Sequence, residues 1–109
     1  MALSDKKCIP CEGGVMPLFR PRAEELIAEI PGWALATDGK SISREYRFPD
    51  FATALAFVVR VGSVAETEGH HPDVALSWGR VGITLSTHSI GGLSENDFIL
   101  ASKIGALGR

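Results

Sequence analysis

Residues 66–97 of the chain read ETEGHHPDVALSWGRVGITLSTHSIGGLSEND and contain all of its histidines, His70, His71 and His88. The centre of this stretch alternates apolar and polar residues, which is the pattern of strands with one buried face. It predicts two antiparallel strands over residues 73–78 and 81–88, joined by a tight turn. The histidines lie at the ends of these strands, so the stretch that shapes the fold also carries the candidate chemistry.

The register of this hairpin follows from its turn. If Gly79-Arg80 form a two-residue loop, His71 lies opposite His88 with the Cβ atoms roughly 5 Å apart. Both then belong to the polar face, and Trp78 belongs to the apolar face. His70 points to the opposite face unless the chain turns there, because successive side chains of a strand alternate.

Helix signals flank the two hairpins of the chain. Pro21 marks the start of a first helix that the Pro31-Gly32 pair ends. Asp50 caps a second helix over residues 51–68, and Gly69 ends it. The first three turns of this helix are apolar almost all round, so we expect its second face to meet another subunit.

A third helix is predicted from residue 95 to about residue 107, with Ser94 and Asp97 spaced as a capping box. Asp38-Gly39 predicts an earlier hairpin in which Leu35 faces Ile42. The resulting order, αββαββα, predicts an α+β domain of two layers, with three helices on one face of a four-stranded antiparallel sheet.

Composition bounds the class of protein. The chain has 109 residues, of which 45% are hydrophobic and 22% charged, with a net charge of −2. This predicts a single domain and gives no electrostatic case for nucleic-acid binding. Residues 1–20 hold Gly13-Gly14, two prolines and no periodicity, so we interpret them as an arm that precedes the domain over residues 21–109. No apolar run reaches the ~20 residues of a membrane span, and the N-terminus lacks the apolar stretch of a signal peptide. We expect a cytoplasmic protein.

Two cysteines, Cys8 and Cys11, form a CxxC in the arm. A redox pair is typical of a βαβ context, and a structural zinc site needs two further ligands. Neither accompanies this motif, so we interpret the two residues as reduced thiols.

Histidines titrate near neutrality, and a cluster of them can both donate and accept protons. That chemistry suits a dehydration, in which one group protonates a leaving hydroxyl while another removes a proton. A catalytic zinc held by the three histidines is an alternative, although adjacent His70 and His71 point apart on a strand. A third alternative is that the histidines only pack or face solvent.

The spacing Glu66-x3-His70-His71-Pro72-x5-Trp78-x9-His88-x8-Asp97 resembles the signature of the pterin-4a-carbinolamine dehydratases. The similarity extends to Pro31-Gly32-Trp33, to the helix start at Asp50-Phe51 and to residues 92–97. The segment from Lys7 to Gly14 resembles bacterial members of the family.

The resemblance implies a hydro-lyase that dehydrates 4a-hydroxytetrahydropterin to the quinonoid dihydropterin, without a metal or an organic cofactor. Such an enzyme recycles the pterin of aromatic amino acid hydroxylases, phenylalanine hydroxylase among them. His70 and His88 would be the acid–base groups, and His71 would position the pterin. The pocket would be lined by further residues at matching positions: Trp33, Glu66, Gly69, Ser86, Thr87 and Ser89.

Three further expectations follow from the resemblance. The family assembles as a homotetramer with helices at its centre, which agrees with the apolar second helix. Asp97 is part of the signature, and we interpret it as a helix cap. Gly69 stands where animal members carry an acidic residue, so any role of that carboxylate is not carried over. The alternative function is a non-catalytic dimerisation or assembly-factor module with a vestigial pocket.

Overall fold

The computed structural model describes residues 3, 6, 8 and 16–107 of the chain. Among residues 16–107, three α-helices and four strands follow each other in the predicted order αββαββα, and a short 3₁₀ helix precedes the last α-helix. Their bounds are α1 Arg20–Ile27, β1 Ala34–Leu35, β2 Ile42–Arg47, α2 Phe51–Glu68, β3 Asp73–Ser77, β4 Arg80–Leu85, the 3₁₀ helix His88–Ile90 and α3 Glu95–Gly105. Cys11 lies outside the described residues, so the interpretation of the CxxC motif stays a prediction.

The strands form one antiparallel sheet in the order β1-β2-β4-β3. In the first hairpin Leu35 pairs with Ile42, which confirms the predicted register. Gly39 adopts the left-handed conformation at the turn, with φ 70°. This sheet and the three helices confirm the predicted α+β class.

The predicted register of the second hairpin is wrong by two residues. Ser77 pairs with Arg80, so Trp78-Gly79 form the loop instead of Gly79-Arg80. The carbonyl of Gly79 accepts a hydrogen bond from the N–H of Phe48 at 2.9 Å. A Cβ at position 79 would lie only 2.9 Å from the carbonyl oxygen of Phe48. This close approach to the end of β2 fixes Gly79 inside the loop, and it leaves Trp78 69% exposed.

Helix α2 is capped at both ends as the sequence predicts. The Asp50 carboxylate accepts hydrogen bonds from the N–H and the hydroxyl of Thr53, at 2.7 and 2.6 Å. These bonds stabilise the ionised carboxylate and lower the pKa of Asp50 below its ordinary value of 3.8. At the other end Gly69 is left-handed, with φ 67°. The helix therefore stops at Glu68, and the chain turns before His70.

The core lies between the sheet and the helices. Phe57 of α2 is 2% exposed and packs against the rings of Tyr46 and Phe48, with centroids 4.7 and 5.2 Å apart. Helix α3 is buried over most of its circumference. Helix α1 is shorter than predicted, because after Ile27 the chain continues in i→i−3 turns as far as Trp33.

Candidate functional site

The end of α2 places His70 at the start of the site. Gly69 reverses the backbone with its left-handed conformation, and the N–H of His70 donates to the carbonyl of Ala65 at 3.2 Å. This hydrogen bond is one of those that close helices ending in a left-handed glycine. It ties the backbone of His70 to the helix, so the ring starts from a fixed position.

The ring of His70 reaches Asp97 in the first turn of α3. Nε2 of His70 lies 2.6 Å from Oδ1 of Asp97, and the two side chains are 12% and 0% exposed. The other oxygen of Asp97 accepts from the Thr87 hydroxyl at 2.8 Å and from the Ser94 N–H at 3.0 Å. Each carboxylate oxygen thus has a donor, as a buried carboxylate requires.

Thr87 joins this network to the loop that carries His88. The backbones of Thr87 and Gly92 pair in a single bridge with N–H to carbonyl distances of 2.8 and 3.4 Å. The bridge closes residues 87–92 into a compact loop whose first part is the 3₁₀ helix His88–Ile90. His88 follows Thr87 directly, and its Cα is therefore about 3.8 Å from that of a residue bonded to Asp97. Asp97 thus links His70 to the residue that precedes His88.

His71 forms a second pair on the outer side of the site. Its Nε2 forms a hydrogen bond with Oε2 of Glu66, which lies in the last turn of α2. The side chains of His71 and Glu66 are 62% and 77% exposed, in contrast to the buried pair beside them. The left-handed turn at Gly69 brings the two groups together across the end of the helix.

The sequence profile of the family described as Pterin 4 alpha carbinolamine dehydratase matches residues 16–107.

The chain belongs to the pterin carbinolamine dehydratase family. This assignment confirms the resemblance of the histidine motif and the expected class of enzyme, a hydro-lyase.

Individual relatives agree with the family assignment. A protein of Halorhodospira halophila, named as a candidate pterin-4-alpha-carbinolamine dehydratase, is 51% identical over 99% of both chains. The crystal structure of a transcriptional coactivator/pterin dehydratase from Brucella melitensis has a TM-score of 0.78 at 33% identity, covering 83% of this chain and 96% of that chain. A pterin dehydratase-like protein identified as a RuBisCO assembly factor in the alpha-carboxysome shares the fold at 22% identity and a TM-score of 0.60, over 70% of this chain and 88% of that chain.

The structure corrects how the histidines meet in this member of the family. The predicted cross-strand pairing of His71 with His88 is wrong, since the β3–β4 ladder ends at Asp73 and Thr84. His71 precedes that ladder and His88 follows it on a separate 3₁₀ helix. His70 is linked to the loop of His88 through Asp97 and Thr87.

The predicted pocket residues are placed in different surroundings. Gly69 and Ser89 are exposed, and Ser86 is half-buried. Thr87 is 4% exposed, and its hydroxyl donates a hydrogen bond to Asp97. Trp33 is 7% exposed and lines a cavity of about 280 Å³ beside the last turns of α3, which none of the three histidines lines.

The contact of Asp97 with His70 is the feature that sequence reasoning missed. The capping box of Ser94 and Asp97 is present, as predicted. Asp97 uses one oxygen for that cap and the other for His70. The signal for the second role was the position of Asp97 in the family motif, which a helix cap alone does not require.

Two observations concern what the described residues do not contain. Within residues 3, 6, 8 and 16–107, no three histidine, cysteine or acidic side chains converge as metal ligands. Over the same part of the chain, no helix is long and apolar enough to cross a bilayer.

Proposed function

We propose that this protein dehydrates 4a-hydroxytetrahydropterin to the quinonoid dihydropterin by histidine acid–base catalysis. In this reaction the bond between C4a and the hydroxyl oxygen breaks, and the hydroxyl takes up a proton and leaves as water. A second proton leaves the adjacent ring nitrogen. The reaction needs one proton donor and one proton acceptor at the same site, which is what a group of imidazoles offers at neutral pH.

The observation that carries this proposal is the buried pair of His70 and Asp97. We assign the proton to Nε2 of His70, which then donates to a carboxylate that also accepts two other hydrogen bonds. In the neutral ring this leaves Nδ1 as a proton acceptor. A carboxylate that fixes the tautomer and orientation of a histidine is a recurring arrangement in acid–base catalysis. We therefore assign His70 as the group that takes the ring proton.

The remaining histidines complete the assignment. His88 is exposed on the loop that Thr87 joins to Asp97, and we assign it as the donor to the leaving hydroxyl. His71, paired with Glu66 at the open side, would bind and orient the pterin.

The other predicted pocket residues keep supporting roles in this proposal. Ser86 and Ser89 flank Thr87 and His88 on the same loop. Gly69 provides the turn between Glu66 and the histidine pair. Trp33 contacts the pterin only if the substrate reaches the far side of α3, because it lines a different cavity of this protomer.

The apolar outer face of α2 supports assembly with further copies of the chain. Phe51, Leu55 and Val59 recur at four-residue spacing and are 44%, 43% and 64% exposed. Such a row of large apolar residues on one helix face is typical of a protein interface. We propose that the enzyme is a homo-oligomer, a tetramer in its full form, in which this row is covered by the same row of a neighbour.

A coupled assay tests the proposed reaction. Phenylalanine hydroxylase, the proposed metabolic partner, generates the 4a-hydroxypterin, and its ultraviolet decay is followed with and without the protein. We expect faster decay with the wild type and loss of the acceleration with His88→Ala. Far-UV circular dichroism should show both proteins folded, since His88 is an exposed loop residue.

A binding module is the second candidate, favoured by the exposed row on α2 and by the shared fold of the RuBisCO assembly factor. Decay at the spontaneous rate, with folded protein and no pterin binding by calorimetry, would contradict the dehydratase and support this candidate.

A further inference from the structure

Glu68, the last residue of α2, is a buried carboxylate close to the site but outside the histidine network. Its side chain is only 9% exposed. Oε1 accepts the backbone N–H of Cys8 at 2.9 Å, and Oε2 lies 3.5 Å from Nζ of Lys103 on α3. One carboxylate thus contacts both the N-terminal arm and α3, two residues before His70.

The described residues of the arm contact the residues that flank Asp97. Nζ of Lys6 pairs with Glu95 at 3.1 Å, and Sγ of Cys8 lies 3.5 Å from the carbonyl oxygen of Asn96. Leu3 is 5% exposed and belongs to the core. The arm therefore bridges the end of α2 and the start of α3, which are the two helix ends that carry His70 and Asp97.

The Cys8 thiol is suited to packing and not to nucleophilic chemistry. Burial and the negative charge of Glu68 raise the pKa of Cys8 to about 12. At neutral pH the thiol is therefore protonated, and the thiolate is the reactive form of cysteine. The contribution of Cys8 at this contact is its backbone N–H, which any residue except proline provides.

The His70–Asp97 bond depends on how α2 and α3 are held relative to each other. The two ends meet across a hydrogen bond of 2.6 Å, so a displacement of either helix end by 1 Å breaks it. At the end of α2, Glu68 contacts Lys103 of α3. The same carboxylate contacts Cys8 of the arm, which in turn touches α3. They constrain the same displacement from outside the site.

We propose that Glu68 and the backbone of Cys8 form a positioning pair that sets the geometry of His70 and Asp97. This inference rests on the proposed function of His70 as an acid–base group. The N-terminal arm is then part of the catalytic scaffold, although none of its described residues contacts the histidines. Loss of the contact between the arm and Glu68 lowers kcat more than it raises KM, because His71 and Glu66 at the open side are left in place.

Two variants remove the positioning pair from opposite sides. Cys8→Pro removes the N–H donor, and Glu68→Ala removes the acceptor. We expect each to lower kcat roughly tenfold, because small misplacements of catalytic groups are costly. KM should change less than twofold. The double variant should lose no more than Glu68→Ala alone, since that variant already removes the acceptor of the Cys8 N–H.

Matched variants separate positioning from general damage. Cys8→Ala keeps the N–H and should lie closer to wild type than to Cys8→Pro. Glu25→Ala removes a carboxylate from an exposed ion pair on α1 and should leave kcat unchanged. The imidazole signals of His70 in ¹⁵N NMR, assigned with His70→Ala, give a readout that does not depend on turnover. We expect them to shift in Cys8→Pro and Glu68→Ala and to stay in place in Glu25→Ala.

Wild-type kcat and unshifted His70 signals in folded Cys8→Pro and Glu68→Ala would overturn the proposal. If one of the two variants does not fold, the other decides by the same criteria. If the wild type shows no dehydratase activity, the proposed function fails, while the NMR shift still decides whether Glu68 positions His70.

Discussion

Two neighbouring histidines of this protein are each paired with a carboxylate, in opposite environments. The His70–Asp97 pair is almost fully buried, with side-chain exposures of 12% and 0%. The His71–Glu66 pair is largely open to solvent, with exposures of 62% and 77%. The buried carboxylate has two further donors, the Thr87 hydroxyl and the Ser94 N–H. The adjacent histidines His70 and His71 are therefore held to different degrees by their surroundings.

We propose that this difference underlies a division of labour between His70 and His71. A buried and fully hydrogen-bonded pair is held in one geometry, and breaking it leaves an uncompensated charge in the interior. An exposed pair is screened by solvent and contributes little to rigidity. In the proposed reaction His70 is thus held in one orientation, as proton transfer requires. His71 can exchange Glu66 for a substrate at low cost, as binding requires.

The strongest way to break the comparison is Asp97→Asn. The amide NH₂ of Asn would face either His70 or the pair of donors formed by the Thr87 hydroxyl and the Ser94 N–H. Either the bond to His70 or the helix cap is therefore lost. We expect kcat to fall on the order of a hundredfold. Stability should fall by about 1–3 kcal/mol, the cost of an unsatisfied buried polar group. Steady-state kinetics and urea unfolding measure the two effects, and wild-type kcat in folded Asp97→Asn would contradict the assignment.

Glu66→Gln tests the exposed pair and should have a smaller effect. An exposed ion pair contributes about 0.2–1 kcal/mol, so KM for the pterin should change by at most roughly fivefold. The midpoint of urea unfolding should stay at the wild-type value. A loss of kcat as large as that of Asp97→Asn would show that burial does not separate the two pairs.

Asp50→Asn gives the smallest effect and serves as the matched control for Asp97→Asn. Asp50 also caps a helix start, but it contacts Thr53 and no histidine. We expect an unchanged kcat at pH 7.

The stability of Asp50→Asn should depend on pH in a defined direction. The pKa of Asp50 is lowered in the folded state, so its ionised form contributes stability above the ordinary value of 3.8. That contribution is lost as the pH falls through the lower folded-state pKa. The difference in urea midpoint between wild type and Asp50→Asn should therefore shrink below pH 3.8, and a difference that grows towards acid would contradict the cap.

Much of the fold followed from local signals in the sequence. The caps at Asp50 and Gly69 predicted where α2 begins and ends, and the Asp38-Gly39 turn predicted the register of the first hairpin. Local signals failed for the second hairpin, because its loop is set by the contact of Gly79 with Phe48. That contact joins residues far apart in the chain, and alternation alone allows a shift by two residues.

The sequence indicates candidate residues of the site, but not which side chains they bind. The sequence pointed to His70, His71 and His88, and the structure pairs His70 with Asp97 and His71 with Glu66. The bond between His70 and Asp97 spans 27 residues and depends on the packing of α2 against α3. A helix cap already explained Asp97 locally, so nothing in the sequence demanded a second partner. Burial, which separates the two histidine pairs, is likewise a property of the packed molecule.

The single-turnover rate of pterin dehydration, compared between His70→Ala and His71→Ala, tests the division of labour most directly. At saturating enzyme this rate reports chemistry and not binding. We expect His70→Ala to be slower than wild type by roughly 10²–10⁴-fold, and His71→Ala to stay within about tenfold of wild type, which is about 1.4 kcal/mol. Equal losses in the two variants, or a larger loss in His71→Ala, would contradict the account.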